Sequence, residues 1–138
     1  MVSVRLTGKL CRDGYVVDFG DIKKYTRGIC KELNEHFICP CASDVLRIES
    51  KDSQVTIECP DGAYFSFPRG DCAMLPIAHS TAEEMAVYIW QKLLEQFGPV
   101  LIERGVTMME VNVSEMPRQA ATFRHRIPRA GATAHLDQ

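Results

Sequence analysis

The segment from Ser80 to Phe97 has the strongest hydrophobic periodicity in this chain and predicts a long helix. Its apolar residues recur at intervals of three and four, which places them on one helical face. They are Ala86, Ile89, Trp90, Leu93, Leu94 and Phe97. Ser80 and Glu83 have the spacing of a capping box, so the helix is predicted to begin at Ser80. Gly98 and Pro99 predict its end.

Other parts of the chain have a period of two, which is typical of strands that bury one face. Strands are predicted at Val2–Thr7, Tyr15–Val17, Met109–Ser114 and Ala121–Ile127. Between Val45 and Phe67 the alternation is interrupted by two turn sequences, which predicts a three-stranded meander. A further helix is predicted from about Phe19 to Glu35, and Pro40 marks the end of that region. This order of elements is typical of an α+β fold with an antiparallel sheet.

The size and charge of the chain indicate the number of domains and exclude some classes of partner. Its 138 residues fit one domain, which we place at residues 1–128, followed by a tail at 129–138 that we expect to be mobile. With 16 basic and 18 acidic residues, the chain lacks the positive field that favours nucleic-acid binding. No apolar run approaches the roughly 20 residues that span a bilayer, and the first residues do not resemble a secretory signal. We therefore predict a cytoplasmic protein with neither a nucleic-acid nor a membrane partner.

The cysteines and histidines do not predict a metal site within this chain. Six cysteines without an export signal are predicted to be reduced thiols. Cys39 and Cys41 are separated by one residue, which is not the Cys-x-x-Cys spacing of zinc sites. The four histidines are His36, His79, His125 and His135, and no two of them have ligand spacing. We therefore predict no metal-ligating residue here.

Three segments resemble one known family. Gly14–Lys24 is similar to that family's glycine and its Asp-Phe-Gly-Asp-Leu-Lys helix start, and here it reads Gly-Tyr-Val-Val-Asp-Phe-Gly-Asp-Ile-Lys-Lys. Ser80–Trp90 is similar to the pattern Ser/Pro-Thr-x-Glu-x-x-Ala-x-Tyr-Ile-Trp, and Val111–Glu115 to a strand that ends in glutamate. Over residues 2–127, the chain resembles the 6-pyruvoyl- and 6-carboxy-tetrahydropterin synthases.

This resemblance implies a tunnelling fold, an antiparallel sheet with two helices on one face, here with an inserted β-meander. It implies a homo-oligomer in which trimeric barrels stack as hexamers. It also implies a lyase in tetrahydropterin or deazaguanine biosynthesis that acts on 7,8-dihydroneopterin triphosphate by triphosphate elimination or side-chain cleavage, with zinc as cofactor. Two alternatives stay open: a non-catalytic pterin-binding or assembly subunit that lacks the zinc centre, and a protein that keeps the fold and binds no pterin.

The resemblance also implies roles for individual residues. Glu115 matches the family's pterin anchor, and a carboxylate can accept both parallel N–H donors of a pterin edge. Ser80 and Thr81 match the segment that lines the pterin pocket, although their position also suits helix capping. Glu35 and His36 fall where the family has an Asp-His pair for proton transfer, and imidazole suits that task because its pKa is near neutrality. The simpler alternatives are a solvated glutamate at a strand end and an exposed histidine at a helix end.

The family's zinc ligands and catalytic cysteine have no counterpart in this sequence. The resemblance places three zinc histidines on the family's first strand and in a His-Gly-His-Asn-Tyr motif, and Val2–Thr7 resembles the strand that follows this motif. Either the sequence starts late, at an internal methionine, or it is a natural variant that has lost the metal centre. We favour the first explanation and expect zinc to be bound by residues upstream of Met1.

Overall fold

The computed structural model describes residues 1–116 and 119–128, and within them it confirms the predicted α+β class. The two helices are α1 (Gly20–Leu33) and α2 (Ala82–Glu103). The strands are β1 (Val2–Gly8), β2 (Phe37–Pro40), β3 (Arg47–Lys51), β4 (Gln54–Glu58), β5 (Tyr64–Pro68), β6 (Cys72–Leu75), β7 (Val106–Met116) and β8 (Gln119–Arg126). The tail predicted at 129–138 lies outside the described residues.

Strands β1, β7 and β8 form an antiparallel sheet in that order, and both helices pack on one of its faces. Trp90 of α2 is 0% exposed at the centre of this core, where its Nε1 donates to the backbone oxygen of Met109 at 2.9 Å. Its ring meets the rings of Phe123 and His125 edge-on, each at 5.6 Å. The period of two in β1, β7 and β8 therefore follows from a sheet that is covered on one side.

The predicted meander is confirmed and forms a second, smaller core. β3, β4 and β5 pair antiparallel in sequence order, and Val55 and Ile57 of β4 are buried together with Cys39. Cys39 belongs to β2, which pairs in parallel with β6. Neither strand was predicted, because each has only 4 residues and so short an apolar run does not distinguish a strand from other structure.

The N-terminus of α2 is one residue later than the sequence predicts. Thr81 is the N-cap, and its Oγ1 accepts a hydrogen bond from the backbone nitrogen of Glu84 at 3.3 Å. The predicted capping box of Ser80 and Glu83 is therefore wrong. Thr81 and Glu84 have the same spacing, so the sequence contains the cap pattern twice and the structure uses the second copy.

The end of α2 is also later than predicted, because the helix continues through Gly98 and Pro99 to Glu103. A proline inside a helix removes one backbone donor and is usually destabilising. Here the extra turn buries Leu101, which is 1% exposed. Gly105, with a φ of 75°, supplies the left-handed residue after the helix that Gly98 was expected to supply.

The predicted strand at Tyr15–Val17 is wrong, because a side chain bonds the carbonyl groups that a partner strand would have used. Arg104, just after α2, donates to Tyr15 O and to Val16 O, each at 3.1 Å. Its guanidinium also holds the Asp13 carboxylate through two bonds of 2.9 and 3.0 Å. The segment from Asp13 to Val17 is therefore fixed as a loop by a residue far away in sequence.

Candidate functional site

The segment just before α2 is held by the carboxylate of Glu84. Its Oε1 accepts from the backbone nitrogen of Ala78 at 3.1 Å, and its Oε2 lies 2.9 Å from Nδ1 of His79. The side chain of Glu84 is only 14% exposed, whereas that of His79 is 68% exposed. Glu84 and His79 were not predicted as a pair. The signal that could have identified Glu84 is its capping spacing from Thr81.

Ser80 and Thr81 lie at the surface of this segment. Within the described part of the chain, no hydrogen bond engages the hydroxyl of Ser80. The hydroxyl oxygen of Thr81 caps α2 as an acceptor, which leaves its hydrogen available for donation to another group. The structure therefore places a hydroxyl group on each of two adjacent exposed residues, and both groups can bind a polar ligand.

Glu115 lies exposed near the end of β7, next to a register shift between Ser114 and Met116. Before this shift, the backbone of Ser114 bonds to Met1 through two hydrogen bonds of 2.6 and 2.8 Å. No hydrogen bond or ion pair joins the Glu115 carboxylate to another residue in 1–116 or 119–128. Its two oxygens can therefore accept the N–H donors of a ligand.

Glu35 and His36 follow α1, which ends at Leu33 rather than at Glu35. Glu35 has a φ of 57°, a left-handed conformation that turns the chain after the helix. Nδ1 of His36 lies 2.7 Å from the backbone oxygen of Asn34. Because a carbonyl only accepts, this contact places the proton on Nδ1 and leaves Nε2 as the acceptor of the neutral ring. Asn34, and not Glu35, therefore orients this imidazole.

Ser80 and Thr81 adjoin each other, but no hydrogen bond or ion pair among the described residues joins them to Glu115 or to His36. Four cavities in the described part of the chain are lined by other residues than the five predicted site residues. One of them, of about 600 Å³, lies between α1 and α2. In one chain, the three predicted parts of the site are therefore separate: Glu115, the Glu35–His36 pair and the Ser80–Thr81 pair.

The described residues do not fit a zinc ion. Across 1–116 and 119–128, no three His, Cys, Asp or Glu residues are grouped so that they could hold a metal. The three described histidines each contact another group: Asn34 O for His36, Glu84 for His79 and Arg126 O for His125. Burial, followed by the neighbouring Cys41, raises the pKa of Cys39 to about 11, which keeps that thiol protonated.

The helices in the described ranges include none that is long and apolar enough to cross a membrane.

Comparison with known proteins gives one consistent result. The family model for 6-pyruvoyl tetrahydropterin synthase matches residues 1–126. A Methanocaldococcus jannaschii protein named as a candidate 6-carboxy-5,6,7,8-tetrahydropterin synthase is 30% identical over 124 residues, which are 89% of this chain and 75% of that protein. The crystal structure of 6-pyruvoyl tetrahydropterin synthase from Plasmodium vivax matches with a TM-score of 0.87 at 46% identity, and the solved structure of the Plasmodium falciparum synthase matches with 0.86 at 39%. Both structural matches cover 91% of this chain and 78% of the other. This chain belongs to the 6-pyruvoyl tetrahydropterin synthase family.

Proposed function

We propose that this protein is a pterin synthase of the lyase class that acts on 7,8-dihydroneopterin triphosphate, by triphosphate elimination or side-chain cleavage. The observation that carries the proposal is the exposed carboxylate of Glu115 near the end of β7, which no other described residue bonds, in a chain of this family. A pterin edge presents two parallel N–H donors, and a carboxylate can accept both at once. Glu115 would therefore fix the orientation of the ring.

The remaining predicted residues supply the other contacts that such a reaction needs. The hydroxyls of Ser80 and Thr81 would bond polar atoms of the bound pterin. His36, with its Nδ1 bonded to Asn34 O, would take a proton from the substrate side chain through Nε2. The family's zinc stays a prediction, since the described residues do not fit it, and no step here depends on it.

We further propose that a complete site forms between copies of the chain in a trimeric or hexameric ring. Within the described residues of one chain, no hydrogen bond or ion pair joins Glu115, His36 and the Ser80–Thr81 pair to each other. The outer edges of β1 and β8 have no neighbouring strand in the described residues, and open edges favour pairing with another chain. A ring closed through such edges would bring site residues of different copies together.

Measurement of neopterin binding and of turnover tests the proposal. Glu115→Gln replaces one acceptor oxygen with a donor, so we expect the Kd for neopterin to rise at least about tenfold. Glu58→Gln is the matched control, because Glu58 is also exposed and ends strand β4. An unchanged Kd in Glu115→Gln would contradict the anchor role.

A second candidate function is a non-catalytic pterin-binding or assembly subunit. The lack of a metal-binding group among residues 1–116 and 119–128 favours it, since no three His, Cys, Asp or Glu residues there are grouped to hold an ion. Product analysis by chromatography and mass spectrometry separates the two functions. Release of triphosphate or of a shortened side chain supports the enzyme, whereas neopterin binding without turnover supports the subunit. A wild-type protein that does neither contradicts both.

A further inference from the structure

The contacts of Glu84 differ from those of an ordinary helix cap. In a capping box, the carboxylate returns to the backbone nitrogen of the N-cap residue itself. Here Oε1 passes over that residue and accepts from Ala78 N, three positions before the N-cap Thr81. Oε2 accepts from His79 at the same time. We call this set of contacts between Glu84 and the segment Ala78–Thr81 the Glu84 latch.

The latch closes a short loop whose two ends are already fixed. On one side, Ile77 is 6% exposed, and its backbone oxygen accepts from Ala42 N at 3.0 Å. On the other side, α2 begins after Thr81 and packs in the core. Between these ends, Ser80 is exposed, and the carboxylate of Glu84 contacts the two residues before it. The conformation of the loop therefore depends on Glu84.

Shielding makes these hydrogen bonds stronger than ordinary surface contacts. The side chain of Glu84 is 14% exposed, so water competes poorly for its oxygens. Two separate donors on adjacent residues, Ala78 N and His79 Nδ1, also bond the two oxygens of this one side chain. Glu83, its neighbour in the first turn, is exposed and makes no hydrogen bond or ion pair in the described residues. The two adjacent carboxylates thus differ in their contacts, although both belong to the helix start.

We propose that Glu84 is a positioning residue for pterin binding, which it serves by holding Ala78–Thr81 in the conformation that presents the hydroxyls of Ser80 and Thr81 to the ring. This inference rests on the proposed function. Glu84 itself does not touch the pterin and acts through the loop. A loop that is held in place before the ligand arrives does not lose its freedom on binding, so the latch increases affinity.

Three variants of the full-length protein test the proposal, with neopterin fluorescence as the binding measurement. In Glu84→Ala both acceptors are lost, and we expect the Kd for neopterin to rise about tenfold or more. In Glu84→Gln the amide oxygen can still accept from Ala78 N, so we expect most of the affinity to be retained. Glu83→Ala is the matched control, because it removes the same charge from the same turn, and we expect its Kd to stay within about twofold.

Amide hydrogen exchange provides a second measurement that does not need the ligand. Exchange at Ala78 should be faster in Glu84→Ala than in the wild type, and unchanged in Glu83→Ala. The proposal is overturned if Glu84→Ala binds neopterin as the wild type does, if Glu83→Ala loses as much affinity, or if Glu84→Gln is no better than Glu84→Ala. A wild-type protein that does not bind neopterin overturns the proposed function and this binding role together. Loss of binding in Glu115→Gln with no effect in Glu84→Ala overturns this inference alone.

Discussion

Replacement of Trp90 by phenylalanine tests how α2 is attached to the sheet. Trp90 is 0% exposed and donates to Met109 O, and Met109 is itself 1% exposed. Phenylalanine has no donor, so a buried carbonyl would lose its partner at a cost of about 1–3 kcal/mol. The smaller ring also leaves a cavity against Phe123 and His125, which adds about 1–2 kcal/mol. We expect the free energy of unfolding to fall by about 2–5 kcal/mol.

Urea unfolding followed by far-UV circular dichroism measures this change. Tryptophan fluorescence cannot be used, because Trp90 is the one tryptophan in the sequence. The protein concentration must be the same for all variants, since self-association raises apparent stability. Ile89→Val is the matched control: Ile89 is also 0% exposed on α2, and loss of one methylene costs about 0.5–1.5 kcal/mol without any hydrogen bond. A Trp90→Phe variant no less stable than Ile89→Val would refute the role of the indole hydrogen bond.

Three other outcomes follow from the side-chain contacts. The hydrogen bond from Arg104 lowers the pKa of Asp13 below its ordinary value of 3.8, so the carboxylate stabilises the loop above that pH, and this stabilisation is lost as the pH falls through the lowered pKa. Arg104→Gln should remove this acid-dependent loss, which proteolysis of the loop across acidic pH measures. A pH profile identical to that of the wild type would contradict this. Iodoacetamide should modify the exposed Cys41 before Cys39, because full burial and a pKa of about 11 suppress the thiolate form of Cys39. Equal rates of modification of the two cysteines, measured by mass spectrometry, would contradict this. Elemental analysis of protein with this sequence should find less than stoichiometric zinc, because no three potential ligands are grouped in the described residues, and one zinc per chain would contradict this prediction.

Periodicity predicted the elements that bury one continuous apolar face and failed where a distant residue decides the structure. The core of α2 and the alternation in β7 are local patterns, and both were predicted. The loop around Tyr15 is fixed by Arg104, which no pattern near Tyr15 can indicate. Pro99 predicted a helix end, but burial of Leu101 outweighs the lost backbone donor. Local rules are therefore reliable only where tertiary contacts agree with them.

In the candidate site, too, sequence motifs identified some residues, whereas another residue is identified only by its hydrogen bonds. Glu115 and the Ser80–Thr81 pair were identified by resemblance, and the structure shows their polar groups at the surface. Glu84 was not identified, because two overlapping patterns, Ser80 with Glu83 and Thr81 with Glu84, have the same spacing. Only the hydrogen bonds distinguish them. The segment before α2 could therefore be predicted from the sequence, but Glu84, which holds it, could not.

The predicted site residues are attached to the core in two different ways. Ser80 and Thr81 precede α2, and Glu115 is part of β7, so the hydrogen bond from Trp90 to Met109 joins the helix and the strand next to which the proposed ring-binding groups lie. His36 instead follows α1 in a loop that contains the left-handed Glu35. A change at Trp90 should therefore alter the geometry of ring binding and raise KM, whereas a change that frees His36 from Asn34 should lower kcat with less effect on KM. This separation fits the proposed site, in which groups beside α2 and on β7 bind the ring and a residue after α1 takes the proton.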